Sequence, residues 1–302
     1  MNGRVPQEAA VGTFPQPDLS DNAPQACPAC ARSTDQVLRF TVNGCDIWQC
    51  RSCGLGRTDA SAFDPRAYYT GSYFSGQHSD GYSDYLGSEP VLRREFARSV
   101  DFVRRYKQGG RLLELGCAFG FFLMEAARHF DVIGIELARE AAEHARHAGL
   151  TVLDGMADDE NLRRVGAVDV IVMFDVIEHL PDPAGTLRRC HELLNPGGIL
   201  VITTGDFGSP LARLAGVRWR LLTPPQHLWF FTQASIRRLA AATTFSTERV
   251  DHPWKIVPLS LIFFQMQRLL GLRARRSMTA SRFGVPVNLF DAMRVVLRKA
   301  PV

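Results

Sequence analysis

Four cysteines have the type and spacing of a metal site. They form two Cys-x-x-Cys pairs, Cys27 with Cys30 and Cys50 with Cys53, and nineteen residues separate the pairs. Each pair can place two thiolates on one side of a metal ion, and four thiolates complete a closed tetrahedron around zinc. A closed tetrahedron leaves no position for a substrate, so the pattern predicts a structural Zn²⁺ in a small module over residues 26–57. A redox-active pair, the alternative, would not need the second Cys-x-x-Cys.

A turn of small residues follows an apolar run that ends in an acid. Residues 112–120 read Leu-Leu-Glu-Leu-Gly-Cys-Ala-Phe-Gly. Small side chains there would let a ligand approach the backbone closely. A dinucleotide fingerprint needs glycine at the first, third and sixth positions of the turn. Here small residues stand at the first, third and fifth positions and Phe121 is the sixth, which argues against NAD or FAD.

Three further side chains could bind or react. Glu136 ends a second apolar run, sixteen residues past Gly120, and a carboxylate at that place can accept both hydroxyls of a ribose. His179 and His227 could each remove a proton from an acceptor hydroxyl. The sequence contains no Ser/His/Asp or Cys/His pattern of a covalent catalyst.

Alternating strands and helices must position these residues. Apolar runs near residues 112–115, 132–136, 150–153, 169–174 and 199–204 are separated by helical segments, a pattern typical of a parallel sheet with helices on both faces. Two more strands are expected at residues 246–250 and 292–297. We therefore expect a doubly wound α/β domain over residues 109–302, with an insertion at residues 255–282.

Residues 112–183 resemble class I S-adenosylmethionine (SAM) methyltransferases of the ubiquinone-biosynthesis type. The turn is similar to the first motif of that family, with Ala118 in place of the usual middle glycine, and residues 174–180 are similar to its fourth-strand motif. The resemblance implies a seven-stranded Rossmann-like sheet that binds SAM, with Leu137 against the adenine and Asp158 at its exocyclic amine. The implied cofactor-binding residues are Glu114, Gly116, Ala118, Gly120, Glu136, Leu137, Met156, Ala157, Asp158, Phe174 and Asp175. Glu178 and His179 could also ligate a divalent metal, but one acid and one histidine are too few to predict it.

The cysteine module resembles a zinc ribbon, and residues 205–232 resemble the acceptor-binding segment of zinc-ribbon methyltransferases that modify sugars and polysaccharides. The implied acceptor is a small molecule or glycan, specifically a hydroxyl of a nucleotide-linked or lipid-linked sugar. One alternative is RNA or protein methylation with the ribbon presenting the polymer. A net charge of +4 and the lack of a basic stripe near the ribbon argue against nucleic acid. The other alternative, a SAM-binding scaffold without catalysis, conflicts with the intact Glu114 and Glu136.

Two further segments precede the main domain. Residues 1–25 are expected to be a disordered tail, and the tyrosine-rich residues 58–108 to form a lid over the cofactor or to pack the ribbon on the main domain.

The insertion contains six basic and no acidic residues, with an apolar helix near residues 259–270. Residues 259–276 would contact an anionic membrane surface, or the helix would pack on the sheet edge or form a homodimer. No secretion signal or spanning segment is apparent, so a cytoplasmic protein is expected, at the inner membrane surface if its acceptor is lipid-linked.

Overall fold

The structure is a computed structural model that describes residues 26–30, 35–60, 63–69, 71–74, 84–157, 159–269 and 282–300. The expected tail (1–25), Asp158 and residues 270–281 of the insertion lie outside the described residues. Among the residues that the structure does describe, no helix has the length and apolar character needed to cross a lipid bilayer.

A small antiparallel sheet follows the first cysteine pair. It contains β1 (Gln36–Val42), β2 (Cys45–Cys50) and β3 (Gly56–Thr58). Asn43 and Gly44 join β1 to β2, and both have positive φ (51° and 74°). Two-residue hairpin turns of this kind require positive φ at both positions, which Asn and Gly adopt more readily than other residues.

Three helices lead from this sheet to the main domain: α1 (Pro65–Tyr68), α2 (Gly71–Phe74) and α3 (Glu89–Arg104). Val100 and Val103 share one face of α3, and both are buried. Val91 is buried too, but it lies about half a turn around the helix from Val100 and packs against Gly284 of the insertion.

The main domain alternates strands and helices as the sequence predicts. Its elements in chain order are β4 (Arg111–Leu115), α4 (Phe121–Ala126), β5 (Asp131–Glu136), α5 (Arg139–His147), β6 (Val152–Asp154), α6 (Asp159–Val165), β7 (Val168–Phe174), α7 (Pro183–Leu193), β8 (Leu194–Gly205), α8 (Pro210–Ala215), β9 (Trp229–Phe230), α9 (Gln233–Ala242), β10 (Ser246–Asp251), β11 (Lys255–Pro258), α10 (Leu259–Leu269), β12 (Gly284–Val287) and β13 (Ala292–Arg298).

Seven of these strands form the central sheet, in the order β10-β13-β8-β7-β4-β5-β6. The five central and outer strands from β8 to β6 are parallel, and β13 is antiparallel to both β8 and β10. This is the doubly wound, Rossmann-like class I methyltransferase sheet, so the expected fold class is confirmed. The strand order reverses between β4 and β7, and in open α/β sheets the crevice at such a reversal binds the ligand.

The insertion is a hairpin with a helix. Strands β11 and β12 pair antiparallel, from Lys255 opposite Val287 to Pro258 opposite Gly284. The paired strands therefore end five residues past the expected boundary at residue 282. Helix α10 begins at Leu259, directly after β11, close to where the apolar pattern predicts it.

Candidate active site

A cavity of about 680 Å³ lies beyond the carboxyl ends of β4, β5, β7 and β8. Its walls come from the turns after β4, β5, β6 and β7, from the end of β8, from the segment before β9, from the insertion, and from the tyrosine-rich segment that includes helices α1–α3. Nine of the predicted cofactor-binding residues line it, namely Glu114, Gly116, Ala118, Glu136, Leu137, Met156, Ala157, Phe174 and Asp175. The sequence-based set is therefore brought together at one edge of the sheet.

Gly120 does not line this cavity. A Cβ added there would lie 2.5 Å from Leu150 Cδ1, and one added at Gly116 would lie 2.6 Å from Val176 Cγ2. Both glycines have positive φ, and so does Ala118, at 46°. Packing of the protein's own chain thus favours glycine at both positions, in addition to any approach of a ligand to Gly116.

Glu136 connects two backbone segments at the cofactor end of the cavity. Its carboxylate accepts hydrogen bonds from the N–H of Ala118 and of Ala138, both at 2.7 Å. Burial raises the pKa of Glu136, and these N–H groups oppose that rise. Each oxygen keeps a further lone pair, so the carboxylate can still accept ribose hydroxyls.

Glu114 is buried beside this arrangement. Its Oε2 has no hydrogen-bond partner among the described residues. Burial, with Glu136 nearby, raises the pKa of Glu114 well above its usual value. A buried oxygen without a partner is costly, so the cofactor end of the cavity fits a ligand that carries a donor or a positive charge, as SAM does.

His179 and His227 lie side by side although they are 48 positions apart in the sequence. Their ring centroids are 4.7 Å apart. His179 Nδ1 lies 2.9 Å from the carbonyl oxygen of Gln226, and His227 Nδ1 lies 2.8 Å from that of Leu221. A carbonyl only accepts, so we assign the ring proton to Nδ1 in each case and leave Nε2 as an acceptor.

Burial keeps both imidazoles neutral. It lowers the pKa of His227 to about 3, with His179 contributing, and it also lowers the pKa of His179. Each neutral imidazole therefore presents Nε2 to the cavity as a hydrogen-bond acceptor.

Sequence reasoning missed three residues of this site. Tyr69 Oη lies 2.7 Å from His179 Nδ1, and burial raises the pKa of Tyr69. Lys255 Nζ, from the insertion, lies 2.9 Å from Asp175 Oδ2. Gln226 contributes the carbonyl that orients His179. Tyr69 lies in the tyrosine-rich segment, Gln226 is next to His227, and Lys255 is the first residue of the insertion, but no spacing in the sequence marks any of the three as a site residue.

Glu178 completes a potential metal-binding group. Ligand atoms of Glu178, His179 and His227 lie within 4.8 Å of one another. The sequence counted one acid and one histidine; the fold adds a second histidine. Burial, together with Asp175, raises the pKa of Glu178 to about 8.

The four cysteines cluster as the spacing predicts, with all four sulfur atoms within 4.8 Å of one another. Cys27 Sγ lies 3.6 Å from Cys53 Sγ, and Cys30 Sγ lies 3.9 Å from Cys50 Sγ. A zinc tetrahedron with bonds of about 2.3 Å has edges of about 3.8 Å. The two sulfur–sulfur distances are close to such an edge, so the cysteine cluster is compatible with a zinc ion.

The sheet, its glycine turn and its cavity define the class I SAM-dependent methyltransferase domain. The chain belongs to the methyltransferase domain family, whose model matches residues 91–250. The ribbon, the tyrosine-rich helices α1 and α2, and the insertion lie outside that match.

Similar proteins agree with this class. The chain is 36% identical over 156 residues to the ubiquinone biosynthesis O-methyltransferase of Cereibacter sphaeroides (strain ATCC 17025), covering 48% of this chain and 62% of that protein. It is 38% identical over 135 residues to the enzyme of the same name from Caulobacter vibrioides, covering 40% and 53%. A SAM-dependent methyltransferase structure from Archaeoglobus fulgidus shares the fold, with a TM-score of 0.50, 16% identity and coverage of 71% and 99%. The chain thus matches less than two thirds of the length of either curated relative.

Proposed function

We propose that this protein transfers the methyl group of SAM to a hydroxyl of a nucleotide-linked or lipid-linked sugar. The observation that carries the proposal is the pair of neutral imidazoles, His179 and His227, in the same cavity as Glu136. A hydroxyl must lose its proton during methylation, and a base within hydrogen-bond reach accelerates that loss. The names of the curated relatives, which are O-methyltransferases, support an oxygen acceptor.

In this proposal Glu136 holds the ribose of SAM, and Leu137 and Met156 contact the adenine. Gly116 and Ala118 lie along the methionine part of SAM, and Glu114 faces the positively charged groups of SAM. SAM supplies an activated methyl group. The protein's own task is to orient the two reactants and to exclude water from the reacting atoms.

His227 would take the proton from the acceptor hydroxyl through Nε2. His179, whose ring centroid lies 4.7 Å from that of His227, would orient the same hydroxyl or accept its proton instead of His227. The tautomer needed for either role is the one that the Leu221 and Gln226 carbonyls select. A metal ion held by Glu178 and the two histidines would occupy the same Nε2 atoms. The role of His227 as a base therefore excludes metal binding at this site.

Three oxygen atoms support an acceptor with several hydroxyls. Glu178 Oε2, Thr223 Oγ1 and Gln226 Oε1 are buried and have no hydrogen-bond partner among the described residues. All three residues line the cavity around the two histidines. A sugar ring offers several O–H groups at separate positions, which can pair with oxygens on three different side chains.

The insertion supports a lipid-linked form of the acceptor and a peripheral membrane contact through residues 259–276. Pro258, Leu261 and Phe264 line the cavity. Phe263 and Met266 belong to helix α10, as do Leu261 and Phe264, and their side chains are about half exposed. Six basic residues and no acid between residues 255 and 282 would favour an anionic surface. A second copy of this chain covering the same helix is the competing proposal.

An acceptor screen tests the proposed function. Purified protein with methyl-labelled SAM is incubated separately with a pool of nucleoside-diphosphate sugars, with polyprenyl-phosphate sugars and with catechol. We expect label in an acid-stable sugar methyl ether from one of the sugar pools. Transfer to catechol alone would replace the sugar by an aromatic acceptor, and transfer to none of them would contradict the proposal.

A further inference from the structure

The small sheet that carries the cysteines is completed by the acceptor side of the main domain. Its strand order is β1-β2-β3-β9, and β9 belongs to the segment that carries His227. Gly56 lies opposite Phe230, and Arg57 lies opposite Trp229. The cysteine ribbon and the segment that carries His227 therefore share one hydrogen-bonded sheet.

Thr58 makes the contact closest to the histidine. Its hydroxyl donates to the carbonyl oxygen of His227 at 2.6 Å, and its N–H donates to the carbonyl oxygen of Leu228 at 2.9 Å. The side chain of Thr58 is buried. Thr58, the last residue of β3 and one position past the expected end of the cysteine module, thus holds two consecutive carbonyl groups, one of them on His227 itself.

The other side of residues 226–228 is held by the turn after β7 that carries Glu178 and His179, which we name the catalytic turn. The Leu228 N–H donates to the carbonyl oxygen of Glu178 at 2.9 Å, and Gln226 accepts from His179. The backbone of residues 226–228 therefore lies between Thr58 and the Glu178–His179 pair. Two contacts within its own segment also hold His227: its N–H donates to the carbonyl oxygen of Thr223 at 3.1 Å, and Nδ1 lies 2.8 Å from that of Leu221.

Two more hydrogen bonds connect the ribbon to the flanks of this segment. Asn43 Nδ2 donates to the carbonyl oxygen of Pro224 at 2.9 Å. Thr232 Oγ1 donates to the carbonyl oxygen of Cys53 at 2.9 Å, and Cys53 is one of the four clustered cysteines. The backbone donors on Glu136, in contrast, come from Ala118 and Ala138 of the main domain.

We propose that the cysteine ribbon is the positioning element for His227, and that Thr58 is its positioning residue. The fold of the ribbon, held by its four thiolates, fixes Thr58; Thr58 fixes the backbone of His227 and Leu228 against the catalytic turn. The proposal rests on the proposed function for the role of His227 as base, but the structural coupling is testable without an acceptor. The cofactor end of the cavity is independent of this coupling.

The test compares Thr58→Val with Thr58→Ser and with Thr41→Val. Serine keeps the hydroxyl, whereas valine keeps the shape and removes the donor. Thr41 is the matched control, because it lies in β1 of the same sheet and its hydroxyl donates to Asp46 rather than to the acceptor segment. Hydrogen–deuterium exchange followed by mass spectrometry reports on residues 224–231, and calorimetry measures SAM affinity.

In Thr58→Val we expect amide exchange across residues 224–231 to accelerate at least fivefold, while exchange at residues 112–120 and SAM affinity stay within twofold of wild type. Thr58→Ser and Thr41→Val should behave as wild type. With a sugar acceptor, Thr58→Val should lower kcat at least tenfold and leave the KM for SAM unchanged. Exchange that is unchanged in Thr58→Val, or equally fast in Thr41→Val, would overturn the coupling. Faster exchange with unchanged kcat would instead overturn the role of His227 and leave the coupling standing.

Discussion

Glu136 joins the turn after β4 to the start of α5 through its two backbone hydrogen bonds. The same carboxylate is the proposed ribose acceptor, so it both shapes the cofactor end of the cavity and binds there. Its position could be predicted from the sequence because the acid directly ends an apolar strand, and the end of a parallel strand points to the binding edge.

Replacement of Glu136 by alanine should weaken SAM binding at least tenfold. Each hydrogen bond to a charged group contributes about 1.5–3 kcal/mol, and the substitution also releases the Ala118 N–H. Calorimetry with SAM measures the effect, and Glu143→Ala, on the exposed side of α5, is the control. An affinity equal to that of wild type would contradict the ribose assignment.

His227 should also influence the pH dependence of stability. Its folded pKa of about 3 lies below the ordinary value of 6.5, so between these values the unfolded chain binds a proton that the folded chain does not. The free energy of unfolding should therefore fall as pH decreases through this window, by up to about 1.4 kcal/mol per pH unit for one such group.

His227→Gln should remove this slope. Urea unfolding at pH 6.5 and pH 5 should show wild type losing up to about 2 kcal/mol more than the variant over that interval. His147→Gln, at an exposed position of α5, should lose as much as wild type. Equal losses in wild type and His227→Gln would mean that His227 is not buried in its neutral form.

Several residues of the site could not be predicted because their partners are remote in sequence. His179 and Tyr69 are 110 residues apart, and Asp175 and Lys255 are 80 apart. Motif spacing describes residues on one strand and its turn, where chain geometry fixes the distance. The meeting of the two histidines depends on where a long irregular segment crosses the sheet edge, and only the fold determines that.

At the scale of elements, the strands of the main sheet were the easiest to predict. A parallel sheet covered on both faces needs continuous apolar runs, and the runs that end in Leu115, Glu136 and Phe174 have this property. Strand β9 has only two residues and therefore no periodicity, so the joining of the ribbon sheet to the acceptor segment left no signal in the sequence.

The ribbon is predicted to bind one zinc ion per chain through Cys27, Cys30, Cys50 and Cys53. Protein purified without chelator should contain close to one equivalent of zinc by elemental analysis. Cys50→Ser should lose the metal and the protection of residues 36–58 from proteolysis, because three thiolates leave the tetrahedron incomplete. Cys45→Ser, in the same hairpin but outside the cluster, should keep both. Zinc-free wild type with an intact ribbon would be the contrary finding.

At the scale of the whole molecule, apolar residues are exposed mainly around the insertion. Six of the ten exposed large apolar side chains among the described residues lie between positions 254 and 290: Trp254, Phe263, Met266, Phe283, Leu289 and Phe290. The sequence predicted the α10 helix and its basic surroundings. It could not predict that one face of α10 would close the cavity, because that depends on the pairing of β11 with β12.

Flotation with liposomes tests whether this surface contacts a membrane. Wild type should float with vesicles that contain anionic lipid, and less at high salt, because the attraction is screened. Phe263→Ser with Met266→Ser should reduce flotation several-fold. The matched control is Leu214→Ser with Val217→Ser, which removes exposed apolar side chains elsewhere (87% and 52% exposed). A wild-type protein that stays in the soluble fraction and sediments as a dimer would favour the second copy as the partner.

The measurement that tests the central claim most directly combines methyl transfer and SAM binding in His227→Ala. With the acceptor pool that wild type methylates, turnover should fall by about 10²–10⁴, the usual contribution of a general base. SAM affinity by calorimetry should stay within twofold, because His227 belongs to the acceptor side of the cavity; His147→Ala should change neither quantity. Unchanged turnover, or a loss of SAM binding that parallels the loss of turnover, would contradict the account.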